Sequence, residues 1–157
     1  MAFFEKIQLD PKWDKRYSSG EFIYGKKPND FLVSISDKLP RGRVLCLADG
    51  QGRNGVYLAE RGCQVTSVDG SAVGLRKARE LAKERGVQIK TVVSNLVDYN
   101  IRQESWDAIV SIFCHLPSKW RALVHNRVVS GLQSGGTFVL EAYRPAQLEF
   151  KMKSIPV

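Results

Sequence analysis

The sequence predicts an α/β domain: a doubly wound, mostly parallel sheet with helices on both faces. Three observations predict it. Short apolar runs alternate with stretches of helical spacing from residue 28 to 143. The first complete run, Val44-Leu45-Cys46-Leu47, stops at a glycine-rich turn. The second run ends on an acid, Asp69, and a turn and an acid so placed read as half of a βαβ unit that binds a nucleotide-like ligand.

The elements follow in order. Residues 1–27 read as irregular or partly helical, rich in lysine and aromatics. Pro28 and Asn29 suit a helix start, and Phe31, Leu32, Ile35 and Leu39 then recur at helical spacing. Pro40, Arg41 and Gly42 break that helix. Strand 1 is expected over 43–48, the glycine turn over 49–53, and a helix over 54–61 closed by Gly62. Strand 2 covers 64–69, and a helix over 71–85 is closed by Gly86. Strand 3 covers 88–93, with a polar connection over 95–105. Strand 4 covers 107–113, and Pro117 and Ser118 open a helix over about 117–132. Ser134, Gly135 and Gly136 turn the chain into strand 5, 137–143, and the tail 144–157 has no strong pattern. The whole chain, 1–157, reads as one domain, with 1–27 as a lid and 28–143 as the ligand-binding core.

Composition bounds the function. Hydrophobic residues are 43% and charged residues 25% of 157, ordinary for a packed domain that needs no metal or disulfide staple. Cys46, Cys63 and Cys114 are odd in number, widely spaced and set in apolar runs, which reads as free thiols in a reducing compartment. No Cys/His cluster supports a metal site, and no apolar run approaches the ~20 residues of a membrane span. The N-terminus lacks the apolar core of a signal peptide, so a cytoplasmic location is expected. A net charge of +8 could attract nucleic acid or anionic substrates, yet the basic residues are dispersed. The densest set, Arg76, Lys77, Arg79, Lys83 and Arg85, alternates with apolar residues that need a buried helix face. That leaves the charges on a solvated one.

Gly50-Gln51-Gly52-Arg53-Asn54-Gly55 is a literal GxGxxG, and its place between strand and helix makes a nucleotide site the expectation. Asp69 then suits ribose hydroxyls. Two cofactors fit: a dinucleotide, or S-adenosylmethionine. A pyrophosphate needs open backbone amides at a helix N-terminus. Asp49, at the mouth of the turn, would repel it and favour a sulfonium or an ammonium. Asn95, with Leu96 beside it, offers an amide side chain where adenine would lie. Strand 4 delivers Cys114 and His115 to the ligand edge.

With those residues in place, the chain resembles the class I S-adenosylmethionine-dependent methyltransferases, and within them the small group related to tellurite-resistance and thiopurine methyltransferases. The resemblance rests on Trp13-Asp14-Lys15-Arg16-Tyr17, Tyr24-Gly25, Pro28-Asn29-Asp30-Phe31-Leu32, the turn at 50–54, Asp69, 113–117 and 135–143. It spans about 12–149 and implies a Rossmann-like sheet of order 3-2-1-4-5. It also implies that Gly50 and Gly52 pass the backbone around the methionine part of the cofactor. Asn54 and Gly70 join the cofactor site, and Asp69 binds the ribose. Asn95 and Leu96 sit at the adenine, and Phe113 lies beside the cofactor. Trp13, Arg16 and Tyr24 belong to the lid, where Arg16 could hold the methionine carboxylate or an anionic substrate. A structural aromatic cluster is the alternative for the tryptophan and the tyrosines.

There are departures. Many class I enzymes carry an acid within strand 1 and a glycine two residues later, where this chain has Cys46 and Ala48. Asn95 stands where an aspartate is common. The antiparallel strand pair that usually follows strand 5 is missing, which would expose a sheet edge and invite a homodimer. His115 is the candidate base for a thiol or hydroxyl substrate. Cys114 has no activating group in view, and Glu141 could point into the pocket or pair with a basic side chain. The function expected is methyl transfer to a small molecule, a thiol or a chalcogen oxyanion. A dinucleotide-dependent oxidoreductase and a catalytically impaired interaction module compete with it. A nucleic-acid methyltransferase is disfavoured, because 113–117 reads Phe-Cys-His-Leu-Pro rather than (Asp/Asn)-Pro-Pro-(Tyr/Phe).

Overall fold

The computed structural model describes residues 10–148. Helix α1 (Pro11–Tyr17) leads to α2 (Asp30–Ile35), which Asn29 caps by accepting the Leu32 amide at 3.0 Å. A 3₁₀ turn (Ser36–Lys38) finishes that helix, earlier than the apolar spacing out to Leu39 predicts. Then come β1 (Arg43–Leu47), α3 (Arg53–Glu60), β2 (Gln64–Asp69), α4 (Ala72–Glu84) and β3 (Lys90–Val93). β4 (Trp106–Ile112), α5 (Ser118–Gly131), β5 (Leu132–Glu141) and a closing 3₁₀ turn (Pro145–Leu148) complete the described chain. The expected tail beyond 148 lies outside the described residues.

The five strands form one sheet of order β3-β2-β1-β4-β5, with every neighbouring pair parallel. The order reverses beside β1, so a crevice opens past its carboxyl end. Alternation along β1 explains the two-sided core. Val44 and Cys46 point to one face, with Leu32 of α2, Leu58 of α3, Val110 and Val139. Leu45 and Leu47 point to the other, with Val124 and Val128 of α5, Ile101 and Ile109. Helix α4 packs on α3 through Val56, Leu81 and Ala82. Burying one such leucine or valine fully stabilises the fold by about 1.5–3 kcal/mol.

One boundary differs from the sequence reading. β5 starts at Leu132, directly after α5, and not at Thr137. Trp106 pairs with Leu132 and Ala108 with Thr137, so two steps on β4 match five on β5. The expected turn at 134–136 is therefore a bulge inside the strand. Gly135 sits at φ 79°, and a Cβ on Gly136 would lie 2.9 Å from the Gln133 carbonyl. The predicted strand pair is real; its extra residues are absorbed by the edge.

Candidate functional site

A cleft of about 540 Å³ lies past the carboxyl ends of β1, β2 and β4. Trp13, Arg16, Asp49, Gly50 and Asn54 line it, as do Asp69, Gly70, Asn95, Leu96, Phe113 and His115. Gly52 is the exception among the residues named from sequence. It lies beneath the turn, where a Cβ would come within 2.5 Å of the Ala78 Cβ. With φ 83°, it both reverses the chain and lets α4 approach.

The turn is built by two carboxylates. Asp69 accepts the Gly50 amide at 2.8 Å and the Ser71 amide at 2.8 Å, tying β1 to the entry of α4. Burial pushes its carboxyl above the usual range against those two bonds. Asp49 accepts from the Ser67 hydroxyl at 2.6 Å and from the Gly55 amide at 3.3 Å. Burial pushes this carboxyl up to about 7. A Cβ on Gly55 would stand 2.4 Å from the Asp49 Oδ2, so glycine there makes room for the acid. Asp49 is thus braced from below by β2 and α3. Ala48 takes φ 51°, a left-handed conformation that favours glycine.

Sequence reasoning named Tyr17 only within the resemblance and gave it no role in the site. Its hydroxyl lies over the turn, 2.6 Å from where a Gly50 Cβ would be, and its ring would crowd a Cβ on Gly74. Burial first, and then Asp69, push its hydroxyl well above the ordinary tyrosine range. No periodic signal marks it, because its partners lie 33 and 57 positions away in the chain. Gln51, an unnamed position of the turn, bonds with the N-terminal segment and not with the sheet.

Past β3, Asn95 Oδ1 accepts the Val97 amide at 2.9 Å, fixing the turn that presents Leu96 to the cleft. At the other end, Phe113 has φ 51° and its amide donates to the Glu141 carbonyl at 2.8 Å. Tyr143 stacks on Phe113 at 4.8 Å with the planes 28° apart, and on His115 at 5.7 Å in nearly parallel planes. Burial lifts the Cys114 thiol to about 11, so it stays protonated at neutral pH. Glu141 is not among the lining residues, and its Oε2 is buried without a hydrogen-bond partner among the described residues. The expectation that it reaches the pocket or pairs with a base is not met there. Trp13 stacks on Tyr17 at 5.6 Å, and the Arg16 guanidinium lies 5.3 Å from the Trp13 ring and 5.5 Å from Tyr24. Arg53 approaches Tyr24 from the turn, at 5.9 Å. The described residues hold no group of three metal-ligating side chains, and no helix among them is long and apolar enough to cross a membrane.

The crevice, its glycine turn and the acid ending β2 define a nucleoside-binding α/β domain. Residues 44–136 match the family described as "Methyltransferase domain", and the chain belongs to that family. It is 30% identical to the uncharacterized methyltransferase YbaJ of Bacillus subtilis (strain 168), over 99% of this chain and 69% of that protein. It is 32% identical to the glycine/sarcosine N-methyltransferase of Halorhodospira halochloris, over 82% of this chain and 47% of that one. Among solved structures, TehB from Haemophilus influenzae superposes with a TM-score of 0.62 at 23% identity, over 82% of this chain and 43% of that chain. The chain therefore spans about half the length or less of the last two.

Proposed function

We propose that this protein is an S-adenosylmethionine-dependent methyltransferase acting on a small nucleophile, with a thiol or a chalcogen oxyanion as the first choice. One observation carries the choice of cofactor. Three amides of the glycine turn are already engaged: Gly50 donates to Asp69, Gly52 to the Asp49 carbonyl and Gly55 to the Asp49 carboxylate. A pyrophosphate would lose those donors and meet two acids. A sulfonium carrying an adenosine, with no phosphate, suits them.

The residues present fit that group. Asp69 keeps free lone pairs for ribose hydroxyls after accepting two amides. Leu96 and Val97 give the adenine an apolar slot, and Arg16 can hold a carboxylate. Bound there, S-adenosylmethionine supplies an electrophilic methyl group. The protein then has to orient the acceptor and exclude water, since in-line displacement asks little else of its side chains. Phe113, Tyr143 and His115 form the acceptor wall, and His115 is the candidate to take the proton of a thiol. The protonated Cys114 is no nucleophile.

A second reading is an amine that bears a carboxylate. The paired guanidiniums of Arg16 and Arg53 about Tyr24 favour it, as does the likeness to a glycine/sarcosine N-methyltransferase. Pairing of two copies through β5, the outermost strand among the described residues, belongs to the same proposal, and a monomeric mass in light scattering would remove it. Calorimetry with S-adenosylhomocysteine and with NAD tests the cofactor. Binding of the first alone is the expected result, and binding of NAD alone overturns the reading. A turnover screen over thiols, tellurite, selenite, glycine and sarcosine then separates the acceptor classes.

A further inference from the structure

The glycine turn has a second set of partners. Gln51 is buried, and its side-chain amide bonds at both its ends with one stretch of the N-terminal segment. Its Oε1 accepts the Ile23 amide at 2.8 Å, and its Nε2 donates to the Glu21 carbonyl at 2.8 Å. A donor and an acceptor on the same segment match a primary amide in one orientation only. Lys77 of α4, which its spacing puts on a solvated face, is buried instead, and its Nζ donates to that same Glu21 carbonyl at 2.9 Å. One carbonyl of the segment is thereby gripped from the turn and from α4 at once. Asn54 accepts the Asn29 amide at 2.9 Å, and Asp14 accepts from the Ser71 hydroxyl and the Val73 amide at the start of α4. Buried polar pairs this far apart in sequence hold one arrangement, because releasing one partner strands the other.

The gripped stretch carries Tyr24, whose ring is the platform for Arg16 and Arg53 on the cleft wall. We propose that Gln51 and Lys77 are positioning residues. They lock residues 21–25 against the turn, so that the cofactor turn and the wall bearing Trp13, Arg16 and Tyr24 move as one body. Anything that orders the turn then orders this wall, and the coupling is reciprocal. The inference rests on the cofactor reading only in its choice of S-adenosylhomocysteine as probe.

The test compares the native chain with Gln51→Ala and Lys77→Met, the latter keeping the apolar stem and losing only the donor. Limited trypsin digestion without ligand reads opening of the segment at Lys15, Arg16 and Lys26. Both variants are expected to be cut about ten-fold faster there and to bind S-adenosylhomocysteine about five- to ten-fold more weakly, as coupled sites do. Protection of those bonds by the ligand, present in the native chain, is expected to fade in both. A purely structural role would lower thermal stability and leave that protection intact. Unchanged cleavage in Lys77→Met overturns the proposal, as does an affinity loss confined to Gln51→Ala. Should Gln51→Ala fail to fold, Lys77→Met decides alone. Should the native chain ignore the ligand, the cofactor reading fails while the ligand-free digestion still judges the clasp.

Discussion

The two halves of the cleft are built by different means. Around β1 and β2 the site is a closed hydrogen-bond network. Asp69, Asp49, Ser67 and Ser71 satisfy one another and the turn's amides, and each glycine makes room for a named atom. Past β4 and β5 the wall is a stack of rings. Phe113 sits at a left-handed φ, and Tyr143 is 52% exposed. The edge strand is bulged, and one Glu141 oxygen has no partner among the described residues. A network of buried polar bonds has one low-energy arrangement, whereas exposed stacking tolerates several. The first half is thus rigid and preorganised, and on the proposed function the second can be adapted to an acceptor without disturbing it.

The sharpest way to break that contrast is Gly52→Ala. The substitution puts a Cβ against Ala78 at a φ of 83°, and it is expected to cost about 3 kcal/mol of stability in urea unfolding from overpacking and left-handed strain together. A loss under half that figure would mean that α4 can yield, and that the network is looser than drawn. Next, Asp69→Ala should weaken S-adenosylhomocysteine by about 1–3 kcal/mol in calorimetry, through lost charge-assisted bonds to the ligand and two stranded amides. An unchanged affinity would take Asp69 out of the site.

Asp49 gives a pH test. Its carboxyl is raised to about 7 when folded, chiefly by burial, so the folded protein holds a proton that the unfolded chain has released above its ordinary value of 3.8. Asp49's contribution to the unfolding free energy should therefore fall as pH rises from about 4 through 7, then level off. In Asp49→Asn that component should vanish, while the amide can still bond to Ser67 and Gly55. Parallel stability curves for the two proteins across this window would refute a buried acid there. The smallest effect is expected from Tyr143→Ala, which removes both stacking contacts at about 0.5–1.5 kcal/mol each at most, less where solvent reaches them. S-adenosylhomocysteine affinity should stay within about two-fold, since the ring belongs to the acceptor wall. A ten-fold loss would erase the distinction between the halves.

Much of this was legible without coordinates. The strand-helix alternation gave the parallel sheet, because successive strands joined by helices repeat the same right-handed crossover, and the resemblance supplied the strand order. The acid ending β2 and the turn after β1 pointed to the cleft that the sheet's carboxyl edge carries. The start of β5 was misread at Thr137, because Gly135 and Gly136 signal a turn whether the chain reverses or bulges. Glu141 was assigned to the pocket or to a basic partner on the strength of being polar in an apolar run, and a strand's period cannot say what lies across from it.

Local rules thus decided the elements. Spacing of two or of 3.6 residues, and the steric freedom of glycine, act between near neighbours and are written in the chain itself. What each small residue is for was decided only by packing. Gly50 accommodates Tyr17, Gly52 accommodates Ala78 and Gly55 accommodates Asp49. Gln51 and Asn54 reach back to residues 21–29. Such contacts join atoms far apart along the chain, and their energies depend on distances that exist only once the sheet has closed.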